Sequence, residues 1–342
     1  MIVRSLTVLI CTYNRARLLR ETLEALRGLA MPDDCAVEFV VVDNNSSDNT
    51  PLVLDEARAK SRVPVVCLKE RRQGKSFALN RGLAEASGDV IALTDDDVLP
   101  ASDWLQRIVR RFREHDVTFV FGKVLPRWGC VPPPEMLTTR AQDIWGPLAI
   151  VDYGDEPSDY RAESLGQRLP IGANLAFSRQ ALITIGGWRT DLGKVNNTLI
   201  SGEDHEIFMR LRRHDLYAGI YDPLISVRHY VPASRLTRRY FRQWFFWHGK
   251  TGALMLPDLF PDLNLALVPK VFGVPRFLYR QAAVQTWQYL KRLGRADALA
   301  LLIEEVKTLQ YAGLISECWK RSWRHAPSVA DAPLAAPGLL SR

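Results

Sequence analysis

An α/β fold is predicted, with a mixed, mainly parallel sheet flanked by helices and a helical C-terminal extension. Three observations predict it. Short apolar runs alternate with segments of helical periodicity through the first half of the chain, which is the pattern of βαβ units. Several of these runs stop abruptly at polar or acidic residues, where strands of an open sheet meet a ligand cleft. From about residue 236 the strand signal gives way to basic, aromatic-rich helical spacing.

Taken in order, Leu6-Thr7-Val8-Leu9-Ile10-Cys11 reads as a buried strand. Leu18, Leu19, Leu23 and Leu26 place a helix over residues 15–29. Val37 to Val42 is the second strand and runs into Asp43-Asn44-Asn45-Ser46-Ser47-Asp48. The helix at 51–60 carries Pro51 in its first turn, where a missing N–H costs nothing. A strand from Val63 to Leu68, a helix from Phe77 to Glu85 and a strand from Val90 to Thr94 follow, then a further strand from Phe119 to Val124. The Pro-rich stretch from Pro126 to about Pro170 reads as irregular chain of the kind that carries specificity.

The most informative run is Ile91-Ala92-Leu93-Thr94-Asp95-Asp96-Asp97, an apolar strand delivered into three carboxylates. Adjacent ionised carboxylates repel and resist desolvation unless a cation neutralises them. Their oxygens suit a hard divalent ion, Mn2+ or Mg2+. The alternative is a solvated turn ahead of the helix that opens near Asp103-Trp104. Asp43, ending the second strand, is a candidate to hydrogen-bond a nucleoside, or with Asp48 simply to cap turns. No G-x-G-x-x-G follows the first strand, where Thr12-Tyr13-Asn14-Arg15 stands, and this weighs against a dinucleotide-dependent oxidoreductase. Gly74-Lys75-Ser76 fails as a P-loop because Lys69 occupies the position of the required first glycine.

A second acidic group, Glu203-Asp204-His205-Glu206, opens a helix. Acids there are favoured by the helix dipole, so capping explains them; a general base facing an acceptor hydroxyl is the functional alternative. Trp188, after Gly186-Gly187, is either a surface on which a sugar ring stacks or a core side chain. His229 is either structural or a ligand.

Composition narrows the classes. Five scattered cysteines with no C-x-x-C pair support neither a zinc site nor a disulfide framework, and fit a reducing compartment. Met1-Ile2-Val3-Arg4 enters a strand directly, and no apolar run approaches the ~18 residues of a membrane span. The expectation is a cytoplasmic protein. Residues 1–227 hold 28 Lys+Arg against 31 Asp+Glu, whereas residues 228–325 hold 16 against 6. The positive excess therefore belongs to the C-terminal segment, where aromatics run from Tyr240 to Trp247 and Phe272, Phe277, Tyr279, Trp287 and Tyr289 are interleaved with Lys270, Arg276, Arg280, Lys291 and Arg292. An anionic membrane surface and packing on the catalytic domain both explain that pattern. No nucleic-acid motif accompanies the charge.

In this order the motifs resemble the family 2 glycosyltransferases of the GT-A fold, a Rossmann-like architecture, over roughly residues 5–250. The resemblance implies donor contacts from Thr12, Tyr13, Arg15, Asp43 and Lys75. Asp95-Asp96-Asp97 takes the place of the family's D-x-D motif, implying Asp95 near the ribose, Asp96 beside the donor and Asp97 as metal ligand. Gly202-Glu203-Asp204 is similar to its acceptor-side motif, implying Asp204 as catalytic base, with Glu203 and Trp188 toward the acceptor. His229 stands where such enzymes supply a further metal ligand. Asn44 and Leu79 depart from the family's usual Asp and Arg. The Gln-x-x-Arg-Trp signature of processive synthases is absent, since Arg242-Gln243-Trp244 has another order. The expectation is thus a non-processive, inverting, metal-dependent transferase. Its donor would be a nucleotide-diphospho-sugar and its acceptor a saccharide or lipid-linked saccharide in cell-envelope polysaccharide biosynthesis. It would work peripherally on the inner face of the plasma membrane. A nucleotidyltransferase or a non-catalytic glycan-binding protein is the alternative. The organisation expected is a catalytic domain over 1–235, with nucleotide-sugar and acceptor halves meeting near 125. A helical extension over 236–325 and a disordered tail over 326–342 would follow.

Overall fold

The computed structural model describes residues 2–161, 170–195 and 198–323. These form two compact units. One holds the chain up to Thr198 together with Glu203–Thr237; the other holds Leu199–Gly202 and the chain from Arg238.

In the first unit β1 (Ser5–Thr12) lies between β2 (Ala36–Asp43) and β4 (Val90–Asp95), parallel to both, and β3 (Val65–Lys69) extends the parallel set beside β2. β8 (Asn174–Ser178) then runs antiparallel to β4 and to β6 (Phe119–Trp128). β9 (Gly219–Val231) is parallel to β6 and pairs on its other side with β5 (Val98–Pro100). The sheet order is β3-β2-β1-β4-β8-β6-β9-β5, with β7 (Ser158–Tyr160) also on β9. The parallel half carries apolar residues on both faces because helices cover both. Leu6, Val8 and Ile10 pack with the apolar residues of α1 (Ala16–Arg27), α2 (Thr50–Lys60) and α4 (Trp104–Glu114). Leu9, Val40 and Val42 share the opposite layer with α3 (Lys75–Glu85), and α5 (Arg179–Thr184) and α6 (Glu203–Arg213) extend that layer over β8 and β6. Burying each such side chain contributes about 1.5–3 kcal/mol, and that core offsets the like charge gathered at the strand ends.

Register decides where that charge goes. Thr12 is level with Asp43, Cys11 with Asp95, and Thr94 with Asn174. Val98 is level with His229. The carboxyl ends of β1, β2 and β4, the start of β8 and the far end of β9 therefore open on one edge of the sheet, where ligands of such sheets bind.

Several element boundaries differ from expectation, and three have a physical reason in the backbone. β3 starts at Val65 rather than Val63, because Pro64 has no N–H, although its carbonyl still accepts from Phe39 N (2.9 Å). α3 starts at Lys75, two residues before Phe77, with Gly74 at φ 144° as its cap. β6 runs through Pro126 to Trp128: β8 leaves it after Phe121, so the missing donor of Pro126 interrupts no ladder there. The stretch after β6 contains short 3-10 turns at Pro134–Leu137, Thr139–Ile144 and Gly146–Leu148. Residues 162–169 of that stretch, and the tail over 326–342, lie outside the described residues.

The second unit is mainly helical. α7 (Arg238–Leu254) packs along α10 (Ala298–Trp323), with Gly249 against the Gln310 carbonyl and Gly313 against the Phe246 carbonyl. Between them lie the short α8 (Leu256–Leu259), the hairpin β10 (Lys270–Val271) and β11 (Val274–Pro275), and α9 (Arg276–Arg292). Among the described residues no helix is long and apolar enough to cross a membrane.

Candidate active site

The three acids divide their work by position. Asp96 is 4% exposed, and its carboxylate is occupied: Thr12 Oγ1 donates to Oδ2 (2.8 Å) and Arg15 Nη1 to Oδ1 (2.9 Å). Burial and the neighbouring Asp97 push its pKa up to about 6 against the pull of Arg15 and Thr12. Asp96 and Thr12 thus brace the loop from within, rather than meeting the donor as expected. Asp97 Oδ2 accepts from Arg15 Nη1 (2.6 Å), and Oδ1 turns toward His229 Nε2, 3.4 Å away. Asp97 Oδ1 is buried with no hydrogen-bond partner among the described residues, as is His229 Nδ1. Burial pulls the His229 pKa down against the opposing charge of Asp97, so the ring keeps the neutral form a metal requires.

Asp95 points into the opening. Burial would raise its pKa, but Lys75, His229, Lys194 and Arg15 bring it to about 2. One ligand atom each from Asp95, Asp97 and His229 lies within 4.8 Å of the others. Two carboxylates and a neutral imidazole, with an orphaned buried oxygen between them, fit a divalent cation.

The loops around this cluster are tied to one another. Asn14 adopts φ 52°, its Oδ1 accepts from Ser47 N (2.7 Å), and its own N–H donates to Ser46 Oγ (2.9 Å). Asp43 accepts from Ser46 N (2.8 Å) and is 4% exposed. Asn44, the departure from the family's Asp, donates to the Glu70 and Arg72 carbonyls and accepts from Gly74 N. An aspartate could not make the first two bonds, so the amide suits this chain's own loop. Tyr13 is 42% exposed, the open ring of the group.

On the other side, Lys75 Nζ sits 3.4 Å from Asp95 Oδ1 and 3.3 Å from Glu203 Oε1. Burial disfavours its charge, but Asp95, Asp204 and Glu203 outweigh that and hold it protonated. Glu203 is 5% exposed and bound to Lys75, not open to an acceptor as expected; burial and Asp204 raise its pKa. Asp204 is half-buried: Oδ2 accepts from Gly172 N (3.0 Å), while Oδ1 is itself buried and has no partner among the described residues. A Cβ on Gly172 would lie 2.7 Å from Asp204 Oδ1. Gly172→Ala should therefore displace the carboxylate and, with Asp204 as the base that the family resemblance implies, lower kcat by about 10–10²-fold, the cost of roughly an ångström of misplacement. Steady-state kinetics should show donor KM unchanged; an unaltered kcat would mean that Asp204 does not need this seat.

Trp188 is a core side chain, 2% exposed, and offers no face to a sugar. Asn80 fixes its backbone, donating to the Trp188 carbonyl (2.7 Å) and accepting from the Trp188 backbone N–H (2.8 Å). Two cations near the acids were missed. Lys194 is exposed by surface area yet hemmed in by protein; burial, Arg235, Lys75 and Arg15 lower its pKa to about 8, against Asp95. Its carbonyl accepts from Lys75 N (3.1 Å), which ties its segment to the start of α3. Arg235 is 9% exposed and lies within electrostatic reach of His229. Neither carries a local signal, since only the folded chain brings them to the acids.

The model of the family described as glycosyl transferase family 2 matches residues 7–186, more than half of the 342 residues. Glucosyl-dolichyl phosphate glucuronosyltransferase of Haloferax volcanii is 25% identical over 91% of this chain and 90% of its own length. The succinoglycan biosynthesis protein ExoM of Rhizobium meliloti is 25% identical over 90% of each chain. Among solved structures, the mannosyltransferase PcManGT from Pyrobaculum calidifontis, in complex with GDP-Man and Mn2+, has a TM-score of 0.54 at 22% identity. That match covers 95% of this chain and 89% of the other, and agrees with the GT-A arrangement of strands and helices. The matched span begins in β1 and takes in Asp43, Lys75 and the three acids of β4 and its loop. The chain belongs to the family 2 glycosyltransferases.

Proposed function

We propose that this enzyme is an inverting, metal-dependent glycosyltransferase of glycan biosynthesis. It moves a sugar from a nucleotide-diphospho-sugar to a hydroxyl of a saccharide or lipid-linked saccharide. One observation carries the reading: Asp97 Oδ1, His229 and Asp95 converge at one strand edge, and Lys75 links Asp95 to the helix that bears Asp204. Asp43 and Tyr13 receive the nucleoside, and Asp95 lies at the ribose and phosphates. Mn2+ or Mg2+, held by Asp97 and His229 with Asp95 beside them, supplies Lewis-acid charge at the diphosphate when bound. Lys75 adds a fixed cation where negative charge develops, and so does not need to reorganise during the reaction. Asp204 accepts the acceptor's proton as its oxygen attacks the anomeric carbon. The bond from that carbon to the diphosphate oxygen breaks in the same displacement, which inverts the centre. Relatives acting on a dolichyl-phosphate sugar and in succinoglycan synthesis support a saccharide acceptor, lipid-linked in the first case. A cytoplasmic enzyme on the inner face of the plasma membrane suits such an acceptor.

A panel of nucleotide-diphospho-sugars with Mn2+ or Mg2+ tests this. One donor should raise the melting temperature and be slowly hydrolysed only when metal is present. NMR of the transferred sugar should then show the anomeric configuration opposite to that of the donor. Retention would overturn the single displacement.

A further inference from the structure

Outside the acidic site, the second unit carries an exposed apolar and basic surface that the transfer reaction does not use. The β10–β11 hairpin turns through Phe272 and Gly273, both at positive φ (49° and 76°). For phenylalanine that backbone region is disfavoured, and Asn or Gly would fit more easily. The turn is nevertheless held: Tyr279 donates to the Val271 carbonyl (3.3 Å), and Ser322 Oγ, which also faces the Trp319 carbonyl (2.7 Å), lies 3.1 Å from the Phe272 carbonyl. Below it, Val274 and Leu278 are buried, so the tip stands on a packed base. The tip itself is open. Phe272 is 66% exposed, Val271 41%, and Trp319, whose ring centroid is 6.2 Å from that of Phe272, 49%.

The charge beside this tip has one sign. Residues 270–296 contain six Lys+Arg and no Asp or Glu. Among the described residues Arg292 alone of the six forms an ion pair, with Glu304 at 3.3 Å. α9 continues the pattern: Arg276, Arg280, Val284, Trp287 and Lys291 recur at helical spacing along one face, and all five are exposed. The Lys291 ammonium lies over the Trp287 ring at 5.3 Å. Aromatic and aliphatic side chains set among cations are what an interfacial, anionic bilayer surface takes up. A second copy of the same surface would set cation against cation, which disfavours self-association.

We propose that the Phe272 hairpin tip with Trp319, together with the Arg276–Lys291 face of α9, docks the enzyme on membranes containing anionic lipid. Phe272 and Trp319 enter the headgroup boundary, and the Lys and Arg residues meet the lipid phosphates. The inference is independent of the identity of the donor and acceptor.

Vesicle co-sedimentation at moderate salt tests it with the full chain. Wild type should pellet with mixed phosphatidylcholine–phosphatidylglycerol vesicles and remain in solution with phosphatidylcholine alone. Lys270→Glu with Arg276→Glu should weaken the partition by at least about fivefold per cation lost. Phe272→Asn removes the ring while suiting the left-handed backbone, so its melting temperature should hold or rise while vesicle binding falls by on the order of tenfold. Donor-induced thermal shift should be unchanged in every variant, which separates failure of this surface from failure of the transfer reading. The proposal is overturned by wild type that ignores both vesicle types, by equal binding to neutral ones, or by variants that bind like wild type. Concentration-dependent dimers abolished by Phe272→Asn, without vesicle binding, would reassign the face to self-association and also overturn it.

Discussion

Asp204→Asn is expected to lower kcat by about 10²–10⁴-fold, the usual worth of a positioned general base, with donor affinity unchanged. The substitution keeps the shape of the side chain, and the amide oxygen can still accept from Gly172 N as Asp204 Oδ2 does (3.0 Å). What it removes is the capacity to take a proton. Steady-state kinetics at saturating acceptor, with donor binding measured separately, distinguish this from a folding defect. A turnover close to wild type would remove Asp204 from the role.

The adjacent acid is the natural rival, and its surroundings argue against it. Glu203 is bound to Lys75 and buried, and burial together with Asp204 favours its protonated form. A base must be ionised and open to the incoming hydroxyl. Each of the pair keeps one buried oxygen without a partner among the described residues, but Asp204 is the more exposed side chain and is not held by Lys75 as Glu203 is.

The central acids were legible because apolar strands cannot accommodate adjacent carboxylates without a purpose. Ile91 to Thr94 had to be a core strand, so Asp95, Asp96 and Asp97 had to meet a cation or solvent at its end. Asp43 followed the same logic at the end of β2. The order of the motifs also carried the fold, since strand-helix alternation leaves few topologies for a chain this long. The misses share one cause: they depend on partners far away in sequence. Trp188 is fixed by Asn80, 108 residues earlier, and nothing local distinguishes a core indole from a stacking one. Thr12 and Asp96 look like cleft residues until their mutual hydrogen bond, across 84 residues, turns them inward. β9, which spans Gly219–Val231 and carries His229 to the acids, has only the short run Ile225-Ser226-Val227 as a local strand signal. Its buried Asp222 hides the strand, and Arg111 on α4 satisfies that carboxylate at 2.8 Å.

The second large effect is expected at Asp97. Removing its side chain leaves Arg15 its bond to Asp96 (2.9 Å), so the loop keeps one brace. The cation site instead loses the oxygen that faces His229. Even outer-shell partners of a metal ligand are worth about 10–100-fold in metal affinity or activity, so Asp97→Ala should cost donor affinity on the order of 10²-fold or more in the presence of Mn2+. Calorimetric titration of the enzyme's preferred nucleotide-diphospho-sugar measures this directly, using wild type and Asp97→Ala, each with Mn2+ and with chelator. Tight binding by wild type with Mn2+ alone, and weak binding in the other three titrations, is the predicted result. Equal affinity in all four would contradict a metal-dependent donor site at these acids.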